Sequence, residues 1–141
     1  MKKQLAIFAA LIAMSSLSFG ATLNAINQDQ FTQAFIEKTF TAISTSQLNG
    51  KEINNRVTVY MGDKGKIKGK FTDKPANGPQ IDQGVYSIKD DGMVCITWQH
   101  WFNGKEECVY AYNTQNAYIM VDNNNIFHFS IMKFSIKAGD N

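Results

Sequence analysis

The sequence predicts a mainly β protein, an antiparallel up-and-down meander or barrel of about eight short strands with one short N-terminal helix. Three observations support this fold class. Most segments after residue 38 alternate apolar and polar residues, as strands with one buried face do. Turn-forming combinations of Asp, Asn and Gly separate these segments. Only a segment near the N-terminus has helical spacing.

That N-terminal segment is predicted to be an amphipathic helix from about Gln28 to Lys38. Phe31, Ala34 and Phe35 fall on one face, and Asn27 is a suitable N-cap. A helix this short needs a surface to pack on. We expect it to cap one open end of the barrel and to present its two phenylalanines to the core.

The first strands follow at once. The segments 38–43 and 56–61 alternate, and the segment 64–71 alternates strictly, with four lysines on one face: Lys64, Lys66, Lys68 and Lys70. This row fits a solvated strand face, or charges that guard a sheet edge, better than an anion-binding stripe. Gly65 and Gly69 on the opposite, inward face predict bending or close backbone approach.

The stretch 84–112 holds both cysteines and both tryptophans, and it predicts three strands. Asp90-Asp91-Gly92 and Asn103-Gly104 are hairpin signals, because these residues tolerate the positive φ of tight turns. A two-residue turn at 103–104 would leave the cysteines roughly 13 Å apart along the ribbon, which is too far for a disulfide.

The protein is also predicted to be exported, and an exported protein favours a disulfide over the register of a two-residue turn. We therefore predict that Cys95 pairs directly with Cys108 and that the segment 98–101 leaves the ladder. On that arrangement His100 and Trp101 are displayed at the surface. The last segment, 126–137, changes the parity of its apolar residues near Ile131-Met132, which predicts a β-bulge there.

Residues 1–20 are predicted to be a secretory signal peptide. Lys2-Lys3 precedes an apolar run, and small residues stand before a cut ahead of Ala21. The run is shorter than the about 20 residues of a membrane-spanning helix. We expect a single β-rich domain, residues 21–141, in the periplasm or outside the cell.

The charge of the chain bears on its partners. The formal net charge of +2 includes the two leader lysines, and the rest has 12 basic and 12 acidic residues. A neutral chain gives no electrostatic reason to bind nucleic acid or anionic membranes. No later segment is predicted to span a membrane.

Motifs for enzyme chemistry are absent from the sequence. It has no Gly-rich phosphate loop, no H-E-x-x-H and no G-x-S-x-G. His100 and His128 are the two histidines of the sequence, and neither stands at a spacing from a nucleophilic residue that is typical of a catalytic site. The sequence therefore predicts no cofactor, no metal site and no catalytic residue. The run 122–125 is predicted to be a turn rather than a calcium loop.

Aromatic residues are the candidates for binding. Displayed aromatics, or aromatics at a barrel mouth, suit an apolar ligand or a protein partner. We expect Trp98 to belong to the core. The candidate ligand or partner contacts are Tyr86, Trp98, His100, Trp101 and Tyr110.

The central stretch also resembles a family of small secreted bacterial proteins that share a domain of unknown function. Its pattern is G-x-[WY]-x-[IV]-x-x-D-G-x-[LV]-C-x-x-W with a second Cys, matched here by Gly84, Tyr86, Ile88, Asp91, Gly92, Val94, Cys95, Trp98 and Cys108. Tyr86 stands where the family usually has Trp. The resemblance covers about residues 38–121 and implies an exported, disulfide-bonded β domain with no established activity.

The predicted shape is similar to that of lipocalin-like and avidin-like barrels. The main hypothesis is a binding protein for a small apolar ligand or for another exported protein. The first alternative is a hydrolase-type enzyme that uses His100 or His128 with a nearby carboxylate, and the second is a structural protein of the envelope. An enzyme needs a histidine within hydrogen-bond reach of an acid inside a pocket; a binding protein needs a cavity or a displayed aromatic patch.

Overall fold

The structure, a computed structural model, describes residues 23–44, 47–48, 51–52 and 55–141, the two dipeptides by their backbone alone. The predicted signal peptide lies outside the described residues. Within them, no helix is long and apolar enough to cross a membrane.

The described elements follow the predicted order of one helix and then strands. They are α1 Gln28–Phe35, β1 Lys38–Ser44, β2 Gln47–Leu48, β3 Lys51–Glu52, β4 Asn55–Met61, β5 Lys66–Phe71, β6 Ile81–Ile88, β7 Val94–Trp98, β8 Glu106–Asn113, β9 Ala117–Val121, β10 Phe127–Met132 and β11 Lys137–Ala138. Two 3₁₀ turns, Trp101–Gly104 and Lys133–Ser135, precede β8 and β11.

Eight antiparallel strands form a closed barrel, which confirms the predicted fold class. From β4 to β10 each strand pairs with the next one in the chain, and β4 also pairs with β1. The barrel closes because β10 pairs back onto β1, with Ile131 opposite Ala42 and Phe129 opposite Ser44. β11 adds to the start of β1, and β2 and β3 form a separate small hairpin.

The helix caps one end of the barrel, as expected. The Gln30 backbone N–H donates to the Asn27 side chain, and the Asn27 N–H donates to the Gln30 side chain. This capping box gives two backbone N–H groups at the start of the helix their hydrogen-bond acceptors. Phe31 and Phe35 are buried. The helix ends at Phe35, earlier than predicted, because the chain must turn into β1; Glu37 takes a positive φ there.

Alternating burial on β5 places its lysines on the outer surface of the barrel. Ile67, Gly69 and Phe71 are buried, whereas Lys66, Lys68 and Lys70 are exposed. Because β5 lies between β4 and β6, the row is a solvated strand face and not a guarded sheet edge.

The predicted bulge near Ile131-Met132 is wrong. Those two residues pair regularly with Tyr118 and Ala117, and the irregularity lies between Phe127 and Phe129. The parity change is instead accommodated by the 3₁₀ turn 133–135, which ends the strand and leaves Phe134 82% exposed. The apolar side chains thus change position in the alternation because the strand ends at the 3₁₀ turn, and not because an extra residue is inserted into the strand.

The cysteines form the predicted disulfide. Cys95 and Cys108 lie directly opposite each other on β7 and β8, with their Cα atoms 4.0 Å apart. The bond joins two neighbouring strands on the face away from the barrel interior. It constrains the unfolded chain by closing the loop between the strands.

We expect reduction of this disulfide to lower the free energy of unfolding by about 3 kcal/mol. Urea unfolding with and without reductant measures the loss, and C95A/C108A should match the reduced protein. The double variant is its own control, because reductant should not change its midpoint. Identical midpoints for the oxidised and the reduced wild type would contradict a stabilising disulfide.

Candidate functional site

The barrel end opposite α1 is the candidate site, and we call it the mouth. β1 ends here at Ser44 and β7 at Trp98, and β8 begins here at Glu106. The backbone of β2 lies beside the 3₁₀ turn 101–104 at this end. The mouth is therefore where strand ends and loops meet, which is where barrels commonly bind ligands.

An apolar cavity of about 80 Å³ lies inside the barrel and reaches the mouth. Its wall includes side chains from seven of the eight barrel strands, among them Ala42, Val59, Ile67, Val109 and Ile131. At the mouth the wall also contains Ser44, Glu107 and His128, the polar members of an otherwise hydrophobic lining.

Trp101 does not lie at the surface, so the prediction that it is displayed is wrong. The chain leaves the ladder after Trp98, one residue later than predicted, because Trp98 still pairs with Gly84. The side chain of Trp101 then turns back into the barrel and is 1% exposed. Its ring packs against Trp98 and Phe71, with centroids 4.6 and 4.4 Å away. Its Nε1–H donates to the carbonyl of Pro79 at 2.8 Å.

Gly69 explains why the indole fits. A Cβ atom at Gly69 would stand 2.6 Å from Cζ3 of Trp101 and 3.0 Å from Trp98, which is closer than side chains approach one another. The segment that comes close to Gly69 is therefore a tryptophan side chain, whereas the predicted close backbone approach is found at Gly65, where a Cβ would lie 3.0 Å from the carbonyl oxygen of Tyr86. Trp98 is buried, which confirms its place in the core.

Asp82 holds the loop that carries Trp101. Its carboxylate accepts hydrogen bonds from the backbone N–H groups of His100 and Trp101, at 2.9 and 2.8 Å, and contacts Nδ1 of His100 at 3.0 Å. Burial raises the pKa of Asp82, but these hydrogen bonds outweigh it and hold the pKa below its ordinary value. The side chain of His100 is 65% exposed, as predicted for this residue.

His128 is the second imidazole with a carboxylate partner, and it lines the cavity. Its Nε2 lies 3.2 Å from Oδ2 of Asp122, and both side chains are 18% exposed. Asp122 also accepts hydrogen bonds from the N–H groups of Ile126 and Asn124, so the run 122–125 is a turn, as predicted. The Ile126 N–H first, and then His128, lower the pKa of Asp122 against the opposing effect of burial.

Glu107 is a cavity residue that the sequence reasoning did not select. Within the part of the chain that the structure describes, its carboxylate has no hydrogen-bond or ion-pair partner. A signal was present, because Glu107 shares its strand face with Val109 and Ala111, both of which are buried. An acidic residue on the inward face of a strand marks a place where the interior is polar.

The two candidate tyrosines lie away from the mouth. Tyr86 donates its hydroxyl hydrogen to the carbonyl of Gly62, near the end that α1 caps. Tyr110 lies on the outer face and donates to Asp91 at 2.8 Å, which ties β8 to the turn between β6 and β7. This hydrogen bond raises the pKa of Tyr110. The structure therefore brings together only Trp98, His100 and Trp101 of the five candidates.

Among the described residues, one group of potential metal ligands lies close together. It consists of Cys95, Glu106 and Cys108. Both sulfur atoms are used in the disulfide, so they offer no thiolates to a metal ion.

The chain matches no protein-family model, no curated protein and no solved structure. The resemblance to secreted bacterial domains stays a prediction. The site is therefore interpreted from its own geometry.

Proposed function

We propose that the protein is a small binding protein that takes an apolar group into its barrel through the mouth. The observation that carries this proposal is the cavity, which is enclosed by the strands and lined mainly by hydrophobic side chains. Binding of an apolar group in such a cavity is favourable, because the group leaves water. The free energy falls by about 25 cal/mol per Å² of apolar surface buried.

The size of the cavity limits the ligand. An engineered protein cavity of about 150 Å³ binds benzene. At about 80 Å³, this cavity has roughly half that space. We infer that it accepts a chain of about four carbons, or the end of a longer ligand whose remainder stays outside the mouth.

Burial of Trp101 weakens the protein-partner alternative, because the displayed aromatic anchor on which it depended is inside the barrel. The disulfide is compatible with export, since such bonds persist in oxidising compartments. We therefore infer a periplasmic or extracellular binding protein whose ligand is a small molecule.

The enzyme alternative keeps one observation in its favour. His128 lies within hydrogen-bond distance of Asp122 and lines the cavity, which is the geometry that a general base requires. However, Asp122 also serves its own turn through two backbone hydrogen bonds, and that role accounts for its position. Binding without turnover is the simpler conclusion from a mainly hydrophobic wall.

Filling the cavity should abolish binding. Ala42 lines the cavity and is 1% exposed, so A42L places three more carbons in the space that a ligand would occupy. We expect 1-butanol to shift the methyl resonances of Ile67 and Ile131 in the wild type but not in A42L. Titrations followed by methyl NMR measure this difference.

The matched control is T58V, which changes an exposed residue on the outer face of β4. It should bind as the wild type does. If A42L proves too crowded to fold, V109I fills less of the same space. Binding that is unchanged in a folded cavity-filling variant would place the ligand elsewhere and overturn the proposal.

A further inference from the structure

We propose that the ligand is a small primary amine, whose alkyl chain fills the cavity and whose ammonium group binds the carboxylate of Glu107. This inference rests on the proposed function and specifies its ligand. Glu107 carries this inference, because it is a charged side chain on the wall with no hydrogen-bond or ion-pair partner among the described residues.

The direction of Glu107 follows from the strand. Its neighbours on the same face, Val109 and Ala111, are 4% and 0% exposed, so this face of β8 forms the barrel interior. Glu106 and Cys108, on either side of it, belong to the outer face. The carboxylate therefore lies on the wall of the cavity, at the end next to the mouth.

The charge of the wall favours a cation. Among the described residues that line the cavity, no Lys or Arg is present, and the titratable groups are Glu107 and His128. His128 already has Asp122 as its carboxylate partner, at 3.2 Å. Asp122 is thus the partner of His128, and the negative charge of Glu107 has no counterpart among the described residues of the wall.

A carboxylate beside apolar surface attracts a cation more strongly than one in bulk water, because the local dielectric constant is lower. Glu107 is only partly buried, so water can solvate it when no ligand is bound. An ammonium group can replace that water and form charge-assisted hydrogen bonds, which are about twice as strong as neutral ones. The rings of Trp101 and Phe102 also line the cavity, and aromatic faces attract cations.

Three ligands of similar size test the head group. We would titrate the purified, oxidised protein with butylammonium, 1-butanol and butanoate at neutral pH and follow the methyl resonances of Ile67 and Ile131. We expect butylammonium to bind at least tenfold more tightly than 1-butanol, and butanoate to bind most weakly. The alkyl chains are matched, so the differences report on the charge.

The variant E107Q removes the charge but keeps the size of the side chain. It should lower the affinity for butylammonium at least tenfold, to that for 1-butanol, and leave the affinity for 1-butanol within twofold. The matched control is E106Q, which removes the same charge from the adjacent, exposed position on the outer face. It should leave all three affinities within twofold of the wild type.

The possible failures are distinguishable. If 1-butanol binds and A42L blocks it, but butylammonium has no advantage or E107Q has no effect, the amine site is overturned and the proposed function stands. Preference for butanoate would also overturn it and would point to a protonated His128 as an anion site. If no ligand of the series shifts the cavity methyl groups, the proposed function and this inference both fail. The ligand series uses the wild type, so the test does not depend on the folding of E107Q.

Discussion

Replacing Trp101 with Ala should lower the free energy of unfolding by about 3–5 kcal/mol, which is typical for the loss of a large buried aromatic side chain. The ring is 1% exposed and packs on Trp98 and Phe71. Its removal leaves a space over Gly69, where the ring lies in this structure. Urea unfolding followed by far-UV circular dichroism measures the change.

The conservative variant W101F separates packing from hydrogen bonding. It keeps an aromatic ring against Trp98 but removes the Nε1–H that donates to Pro79. We expect a smaller loss, with the hydrogen bond accounting for about 1 kcal/mol. If W101A lost less than about 1 kcal/mol, the side chain would not be a core residue, and the prediction of a displayed tryptophan would return.

The fold was predictable because strand alternation is local information. On β5, strict alternation identifies the outer lysines and the inner Ile67 and Phe71 without reference to any other strand. The N-cap Asn27 is also a local signal, because its partner Gln30 is three residues away. The disulfide was predictable from a non-local argument, since two cysteines in a chain that is predicted to be exported constrain the register of two strands.

The position of Trp101 was not predictable in this way. Parity assigns a side chain to a face only within a ladder, and the chain has left the ladder when it reaches residue 101. What turns the indole inward is space over Gly69 and a carboxylate at Asp82, which are supplied by two other strands. The same limit explains the misplaced bulge, because a parity change fits either an inserted residue or a broken strand.

The mouth was partly visible in the sequence. Glu107 shares a face with Val109, so its inward position follows from the pattern alone. Its place beside His128 does not, because it depends on the registers in which β8 pairs with β9 and β9 with β10. No short-range pattern encodes those registers.

Replacing Asp82 with Ala should destabilise the protein by about 1–3 kcal/mol for each backbone N–H group that loses its acceptor. Asp82 is 3% exposed, and its carboxylate accepts two backbone N–H groups from the loop that positions Trp101. Alanine leaves those donors without an acceptor, and buried unpaired donors are costly. Urea unfolding at neutral pH measures the loss.

The pH dependence of the free energy of unfolding gives an independent measure of how much the Asp82 carboxylate stabilises the protein. Its pKa in the folded protein is below 3.8, so the folded state favours the ionised form. The resulting stabilisation is complete above the unfolded pKa and is lost as the pH falls through the folded pKa. The difference in unfolding free energy between the wild type and D82N should therefore be constant above about pH 5 and shrink below about pH 4.

Asp90 provides the control, because it is an exposed carboxylate in the turn between β6 and β7, at the other end of β6 from Asp82. D90A should change the free energy of unfolding by less than about 0.5 kcal/mol, which would show that loss of a negative charge is not the cause. A D82A variant as stable as the wild type would show that Asp82 does not hold the loop.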